Sequence, residues 1–240
     1  MKNIVIKNNS IVKPAVNNGI FGSVQLFDFI HSPDFRELVK RVRPNRANAP
    51  RPDKILTSLI EEKGFNALPI IVDKDKYSLL IESKLTRIYR GVCYRDAIND
   101  FAYNTQMYVS KGMYCSGVYF VYGGTAKDTA ESYMIMHTPP MYCKGHYDGA
   151  IIEALVSADA KIIDIEDAYK LQEKMVNKID SMSNLSDNAK NKLMYLLSDD
   201  VSKCALLNGY DAINIKSKQY LVVLNRNKLI MQKPKERTRE

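Results

Sequence analysis

Seven short runs of β-branched and aromatic residues, all after residue 67, restrict the possible fold more than any other feature of the sequence. Turn-forming residues bound each run, as is typical of strands. The runs are LPIIVD (68–73), IYRGV (88–92), GVYFV (117–121), AIIEALV (150–156), KIIDI (161–165), DAINI (211–215) and YLVVLN (220–225). Helical stretches lie between some of them, but not in regular alternation. The sequence therefore predicts an α+β domain with a split, mostly antiparallel sheet rather than a doubly wound parallel sheet.

Helical patterns fill the intervals between these runs. They are predicted at about 95–108, 125–136, 166–182 and 187–207. In the third of them Leu171, Met175 and Ile179 recur every four residues, which predicts a buried helix face.

Three regions follow from these patterns. Residues 1–67 are predicted to form a mainly helical N-terminal region, with one helix beginning at Pro52 and ending at Gly64. Residues 68–232 form the main domain, and residues 233–240 are predicted to be a disordered basic tail.

The composition indicates a soluble globular protein. With 240 residues, of which 45% are hydrophobic, the chain can bury a core and is too apolar to remain disordered. No run approaches the roughly 18 apolar residues of a membrane span. The N-terminus alternates apolar and polar residues, which argues against a conventional signal peptide. The four cysteines have no regular spacing, so we expect free thiols in a reducing compartment such as the cytoplasm.

The net charge of +8 is concentrated in two segments. Residues 36–54 contain seven basic and two acidic side chains, and the tail 233–240 contains four basic and two acidic ones. A basic segment of this kind can bind nucleic acid, an acidic partner or a membrane surface. It contains no interleaved aromatic residues after position 36, so a solvated linker is favoured over a nucleic-acid surface.

Three segments carry the candidate chemistry. The first, TRIYRGV, ends a predicted strand with Arg90 and Gly91, a bidentate donor beside a backbone that can be approached closely. The second, KGMYCSGVYFVYGGTAKDTAESY, leads from a strand with Tyr119 through a Gly-Gly turn into a helix with Tyr133. The third, GYDAINIKSKQYLVVLNRNKLIM, is a pair of strands near the C-terminus. Taken singly, each of these signals is also common as a purely structural feature.

The order of the three segments resembles that of the ADP-ribosyltransferase superfamily. YRGV is similar to the first catalytic strand of the arginine-type branch, and GVYFVYGGTAKDTAESY is similar to the strand–helix motif of the poly-ADP-ribose polymerase-like branch. The wider pattern, over about residues 66–232, resembles ADP-ribosyltransferase-like proteins of phages and bacterial effectors.

This resemblance implies an NAD site between the two halves of a split sheet, with NAD as the substrate. The Gly91 backbone would hold the nicotinamide amide, and Arg90 would reach the diphosphate or adjacent ribose. Tyr119 and Tyr133 would flank the nicotinamide ring. Ser116 would support the site, and Phe120 of the same motif is counted with the NAD-contacting residues.

The sequence departs from the family pattern at Gln219. Active members usually have a glutamate there, at the start of the strand matching QYLVVLN. A glutamine can hydrogen-bond a ribose hydroxyl, but it supplies neither the negative charge nor the base that favours an oxocarbenium-like transition state. Glu131 or Glu153 are the carboxylates considered as replacements, although Glu153 also fits the outward position of a half-exposed strand.

Metal and thiol chemistry are both less well supported. Cys143 and His146, with His137 nearby, have a spacing found in zinc sites but lack a fourth ligand close in sequence, so no metal site is predicted. A cysteine–histidine nucleophile pair through Cys115 or Cys143 has no visible oxyanion-binding context.

The function that the resemblance implies is that of a mono-ADP-ribosyltransferase, a glycosyltransferase that moves ADP-ribose from NAD to a protein target. It would act as a bacterial effector, a toxin or a phage product, in the cytoplasm or in a host cell reached without a conventional signal peptide. The alternative is a catalytically impaired module of the same fold that binds NAD or a protein partner, because Gln219 stands where a glutamate is expected. No membrane partner is predicted.

Overall fold

The computed structural model describes residues 64, 67–92, 95, 97–104, 112–136, 149–183 and 185–234. Within them lie eight strands and six helices, mixed along the chain. The strands are β1 (Ile70–Val72), β2 (Arg87–Val92), β3 (Val118–Tyr122), β4 (Ala150–Val156), β5 (Ile162–Asp164), β6 (Ala212–Ile215), β7 (Tyr220–Val223) and β8 (Leu229–Gln232). The helices are α1 (Lys74–Glu82), α2 (Ala97–Tyr103), α3 (Ala126–Met136), α4 (Ile165–Asp180), α5 (Asp187–Ser198) and α6 (Val201–Leu207).

All eight strands belong to one sheet with the order β1-β8-β4-β2-β3-β7-β6-β5. The two outermost pairs, β1 with β8 and β5 with β6, are parallel, and the five inner pairs are antiparallel. The prediction of a mixed fold with a mostly antiparallel sheet is therefore confirmed.

The pairing of β2 with its two neighbouring strands differs in length. The ladder of β2 with β4 runs over all six residues of β2, from Arg87 to Val92. The ladder of β2 with β3, in these two fully described strands, consists of Ile88 with Tyr122 and Tyr89 with Val121. Beyond Tyr89 the two strands diverge, and we call this opening between residues 90–92 and 118–120 the seam.

Alternation along the strands gives the sheet two different faces. One face carries Tyr89, Val121 and Tyr220, and we call it the helical face because most of the helices cover it. It packs against α3, and farther along the sheet it packs against α4, α5 and α6. The opposite face carries Ile88 and Phe120 and packs against α2. Both faces are apolar, so the sheet is the middle layer of the domain.

Local sequence explains where the helices begin and what they bury. Asp73 accepts a hydrogen bond from the Lys76 backbone amide at 2.8 Å and so caps α1. In α4 the predicted face of Leu171, Met175 and Ile179 is buried, with Met175 and Ile179 both fully enclosed. Each such side chain contributes roughly 1.5–3 kcal/mol of burial free energy.

Three elements differ from the sequence prediction. The helix predicted over 187–207 is two helices, because Asp200 accepts a hydrogen bond from the Ser202 amide and begins α6 as a new helix. Helix α1 and strand β8 have no counterpart in the sequence prediction. Strand β8 follows β7 after a short turn at Arg226–Lys228, and its apolar run LIM is short.

The predicted N-terminal region lies almost entirely outside the described residues, and so does most of the predicted tail. At the start of the tail, the Lys233 amide donates to the Val72 carbonyl at 2.7 Å, which continues the β1–β8 contact by one residue.

Candidate functional site

Arg90 lies at the point where the β2–β3 ladder ends. On one side it pairs with Ile152 of β4. On the other side its guanidinium Nη1 donates to the Tyr119 carbonyl oxygen at 2.9 Å. The side chain therefore spans the seam and bonds to a strand edge that the β2 backbone does not reach.

Gly91, the next residue, is in close contact with helix α3. A Cβ atom at this position would lie 2.1 Å from the Ala130 carbonyl oxygen and 2.7 Å from the Met134 backbone nitrogen. Only glycine permits this approach of helix to strand. The helical face of Gly91 is covered, so a ligand would meet its backbone along the strand edge that faces the seam.

Tyr119 uses its hydroxyl to hold the turn that precedes its own strand. The phenol donates to the Cys115 carbonyl at 2.8 Å and accepts from the backbone amides of Tyr114 at 3.1 Å and Cys115 at 3.0 Å. Burial is the main cause that raises its pKa to about 12, so the hydroxyl is neutral at physiological pH. Gly112 lies against the ring, since a Cβ there would come within 2.3 Å of Tyr119 Cε2. The hydroxyl thus stabilises the turn, and a ligand would contact the part of the Tyr119 ring that Gly112 does not cover.

Ser116 joins this turn to helix α6 through its backbone. Its amide donates to both carboxylate oxygens of Asp200 at 3.2 Å, and Asp200 also accepts from the amide and hydroxyl of Ser202. The Ser116 amide thus anchors the turn that precedes β3 to Asp200, a contact that sequence reasoning missed. An aspartate before an apolar helix is the signal that marks Asp200.

The thiols beside this turn are unsuited to nucleophilic chemistry at neutral pH. Burial raises the pKa of Cys115 and of Cys204 to about 12, with the Asp200 carboxylate adding to the shift. Both are free cysteines. A nucleophile must be a thiolate, so these two thiols serve as core residues.

Tyr220 connects the two tyrosines that the sequence singled out. Its ring lies edge-on to that of Tyr119, with centroids 6.3 Å apart, and edge-on to that of Tyr133, with centroids 6.4 Å apart. The hydroxyls of Tyr133 and Tyr220 share a short hydrogen bond. Tyr119, Tyr220 and Tyr133 therefore form one continuous group, which we call the tyrosine row. Sequence reasoning missed Tyr220, although its place as the first residue of a buried strand was visible.

Gln219 lies at the rim of this group rather than in it. It precedes β7 in a left-handed backbone conformation, with φ 54° and ψ 39°, and is exposed. Its carbonyl accepts from the Tyr122 amide at 3.1 Å. Its side chain lies beside Gly123, whose added Cβ would be 3.1 Å from Gln219 Oε1.

The two carboxylates considered as replacements lie elsewhere. Glu153 accepts from the Tyr77 hydroxyl at 3.2 Å and pairs with Arg87 Nε at 3.6 Å. From β4 to β7 there are three strand spacings, so Glu153 is about 14 Å from the strand of Tyr220. Between them Tyr89 and Val121 lie beneath α3. Glu131 is exposed on α3.

Phe120 points to the opposite face of the sheet. It is 1% exposed and packs edge-on against Phe101 of α2, with centroids 5.7 Å apart. The structure therefore brings Tyr119, Tyr133 and the backbone of Gly91 and Ser116 to one side of the seam. It does not bring Phe120 or Glu153 there. Arg90 extends from the face that carries Ile152 and reaches the seam at the Tyr119 carbonyl.

Comparison of the chain with family models, with curated proteins and with solved structures found no match in any of the three. In the described part of the chain, no group of three or more His, Cys, Asp and Glu side chains is arranged to hold a metal ion. His137, Cys143 and His146 lie outside the described residues. None of the helices that the structure describes has the length and apolar character of a membrane span.

Proposed function

We propose that this protein is an ADP-ribosyltransferase-type domain that binds NAD at the seam and transfers ADP-ribose from it to a protein target. The observation that carries the proposal is the position of the three motif strands. Strands β2, β3 and β7 are separated by many residues in the chain, yet they lie side by side at the centre of the sheet. The family resemblance requires these three strands to share one site.

The shape of the seam supports a dinucleotide as the ligand. Two strand edges diverge at Arg90. A guanidinium can bind a diphosphate or a ribose through several N–H donors in a fixed plane. The tyrosine row, on the other face of the sheet at the same seam, offers aromatic surface to a flat, electron-poor nicotinamide ring. A ligand with an anionic linker and a planar ring would contact both groups by lying across the opening between β2 and β3.

The weak point of this site as a catalyst is the missing carboxylate. Loss of nicotinamide leaves positive charge on the ribose, which a nearby carboxylate stabilises. Gln219 cannot supply that charge, and Glu153 is about 14 Å from the strand of Tyr220. This observation favours a second candidate function: a module of the same fold that binds NAD or a protein partner and turns NAD over slowly or not at all.

Labelled NAD tests the proposal directly. The full chain should bind NAD and label itself or a protein in a cell lysate, and Arg90→Ala should lose both properties. Arg87→Ala is the matched control, because Arg87 lies on the same strand but outside the seam, where it pairs with Glu153 of β4. Calorimetry that detects no NAD binding by the wild type would reject the proposal. Binding without labelling would select the second candidate.

Gln219→Glu separates the two candidates further. A carboxylate at the rim of the tyrosine row should raise NAD hydrolysis at least about tenfold if charge at this position limits the reaction. Gln232→Glu adds the same charge at the exposed end of β8 and should leave the rate unchanged. Equal rates in wild type and Gln219→Glu would show that position 219 does not contact the reacting sugar.

The resemblance also carries a biological setting, that of a bacterial effector, toxin or phage protein acting on a protein target. A search for labelled proteins in lysates of candidate host cells tests this part. Nucleic acid as a target through residues 36–54 is not favoured, and that segment lies outside the described residues.

A further inference from the structure

Tyr220, rather than Gln219, is the residue of the third motif strand whose side chain enters the candidate site. Successive residues of a strand point to opposite faces, so only every second side chain of β7 lies on the helical face. Tyr220 lies on that face with Val121 and Ala130. Gln219 precedes the strand, in a left-handed conformation, with its side chain beside Gly123.

The three hydroxyls of the tyrosine row are engaged differently. The Tyr119 hydroxyl makes three bonds to the turn at residues 114–115. The Tyr133 and Tyr220 hydroxyls bond to each other. In the described part of the chain, the Tyr220 hydroxyl has no other hydrogen-bond partner, and the side chain is half-buried. When Tyr133 donates the shared bond, the Tyr220 proton is directed elsewhere, because a phenol has one donor and two acceptor positions.

We propose that the Tyr220 hydroxyl donates a hydrogen bond to a hydroxyl of the nicotinamide ribose, and so takes the place that a glutamate at position 219 would otherwise fill. This inference rests on the proposed function, since it assumes NAD at the seam. A phenol binds the sugar without adding negative charge, so it contributes to affinity and leaves the charge of the transition state unbalanced.

The chemistry of the pair is consistent with this role. The hydrogen bond with Tyr133 is the main cause that raises the pKa of Tyr220 to about 12, so its hydroxyl keeps its proton at physiological pH. The ring edges against Tyr119 and Tyr133 fix its direction. The site is therefore built to hold the sugar of NAD by a neutral donor.

Tyr220→Phe is the variant that tests the inference, because it removes one oxygen and keeps both ring contacts. Calorimetry on the full chain should show an NAD dissociation constant raised about fivefold to tenfold and an unchanged dissociation constant for free nicotinamide. Tyr195→Phe, which removes an exposed hydroxyl from α5, should change neither value.

NAD analogues lacking the 2′- or the 3′-hydroxyl of the nicotinamide ribose identify the contact. With the analogue that lacks the contacted hydroxyl, wild type and Tyr220→Phe should bind equally, which is the signature of a direct interaction in a double-substitution cycle.

Each other outcome rejects a defined claim. Wild type that does not bind NAD removes the proposed function and this inference together. Wild type and Tyr220→Phe that bind NAD equally reject the inference alone. Tyr220→Phe could also weaken the binding of NAD and of free nicotinamide by the same factor, and weaken the binding of both deoxy analogues as well. That result would show that the hydroxyl only holds the Tyr133 ring in place, and it too rejects the inference alone.

Discussion

Two arginines in this protein donate to backbone carbonyls, yet they belong to regions of opposite character. Arg226 is 2% exposed and bonds to the Phe101 and Asn104 carbonyls, at 2.6 and 2.7 Å, with its guanidinium 5.3 Å from the Phe101 ring centroid. Arg90 is only half-buried and bonds to the Tyr119 carbonyl at the seam.

The difference lies in the carbonyls that each arginine serves. Phe101 and Asn104 stand at the C-terminal end of α2, where helix carbonyls have no partner within the helix. Arg226 therefore supplies hydrogen-bond donors to carbonyls at the end of α2 that have no partner within the helix. Tyr119 belongs to a strand whose neighbour on that side has diverged, so Arg90 bonds across an opening. The same type of side chain thus caps a helix end in one region and crosses a gap between two strands in the other.

Arg226→Ala should have the largest effect on stability. The buried Phe101 carbonyl and the partly buried Asn104 carbonyl would lose charged donors, so the free energy of unfolding should fall by roughly 2–4 kcal/mol. Urea denaturation followed by circular dichroism measures this change. Arg87→Ala, at a partly exposed ion pair, should cost less than about 1 kcal/mol. A similar loss of stability in both variants would show that the buried Arg226 contributes no more to the fold than a partly exposed ion pair does.

Gly91→Ala should rank second. The added methyl group meets the backbone of α3 at Ala130 and Met134, so the helix must shift, at a cost of roughly 1–3 kcal/mol. Gly124→Ala is the control, because a Cβ there meets no atom within 4 Å. If Gly91→Ala is as stable as Gly124→Ala, the contact between α3 and β2 is looser than described.

Tyr119→Phe should lower the free energy of unfolding by about 1–2 kcal/mol, because the turn at residues 114–115 loses the hydroxyl that holds it. Nicotinamide binding should persist, since the ring remains. Thermal denaturation and nicotinamide titration of the same sample measure both. Loss of binding without loss of stability would instead assign the hydroxyl to the ligand.

The same tyrosine predicts how stability responds to alkali. The pKa of Tyr119 is raised from 10.0 to about 12, so the folded state keeps a proton that the unfolded state loses. Its contribution is therefore fully present below pH 10 and is lost as pH rises through about 12. Urea midpoints measured from pH 8 upwards should fall less steeply in Tyr119→Phe than in wild type. Parallel curves would contradict the assignment.

Arg90→Ala should change stability least, by about 1 kcal/mol or less, because its bond to the Tyr119 carbonyl is only half-buried. Its effect on NAD binding should be the largest of any variant in this set. Calorimetry and denaturation of the same preparation give both values. A stability loss comparable to that of Arg226→Ala would mean that Arg90, too, completes the fold.

The sequence was informative where a residue's role depends on its immediate neighbours. Apolar runs located seven of the eight strands, and the four-residue spacing in α4 identified its buried face. Each of these signals depends on residues that are close together in the sequence, so it can be interpreted without knowing the tertiary contacts.

The roles that escaped prediction depend on direction and on distant partners. Gln219 has a left-handed backbone conformation, so Tyr220 rather than Gln219 lies in the tyrosine row. Nothing in the segment SKQYL predicts that conformation. Asp200 acts on Ser116, a partner far away in the chain. Glu153 was considered for the ribose because the strand order, and hence its separation from β7, was unknown. Strand β8 is too short a run to distinguish from a turn.

The pairing of β3 with β7 has a consequence for the timing of folding. Val118 pairs with Val223, so the ladder that brings Tyr119 beside Tyr220 joins segments about a hundred residues apart. During synthesis, Arg90, Tyr119 and Tyr133 leave the ribosome long before their partner strand does. A nascent chain that stops before β7 therefore cannot place Tyr220 beside Tyr119, and the tyrosine row forms only after that strand has been synthesised.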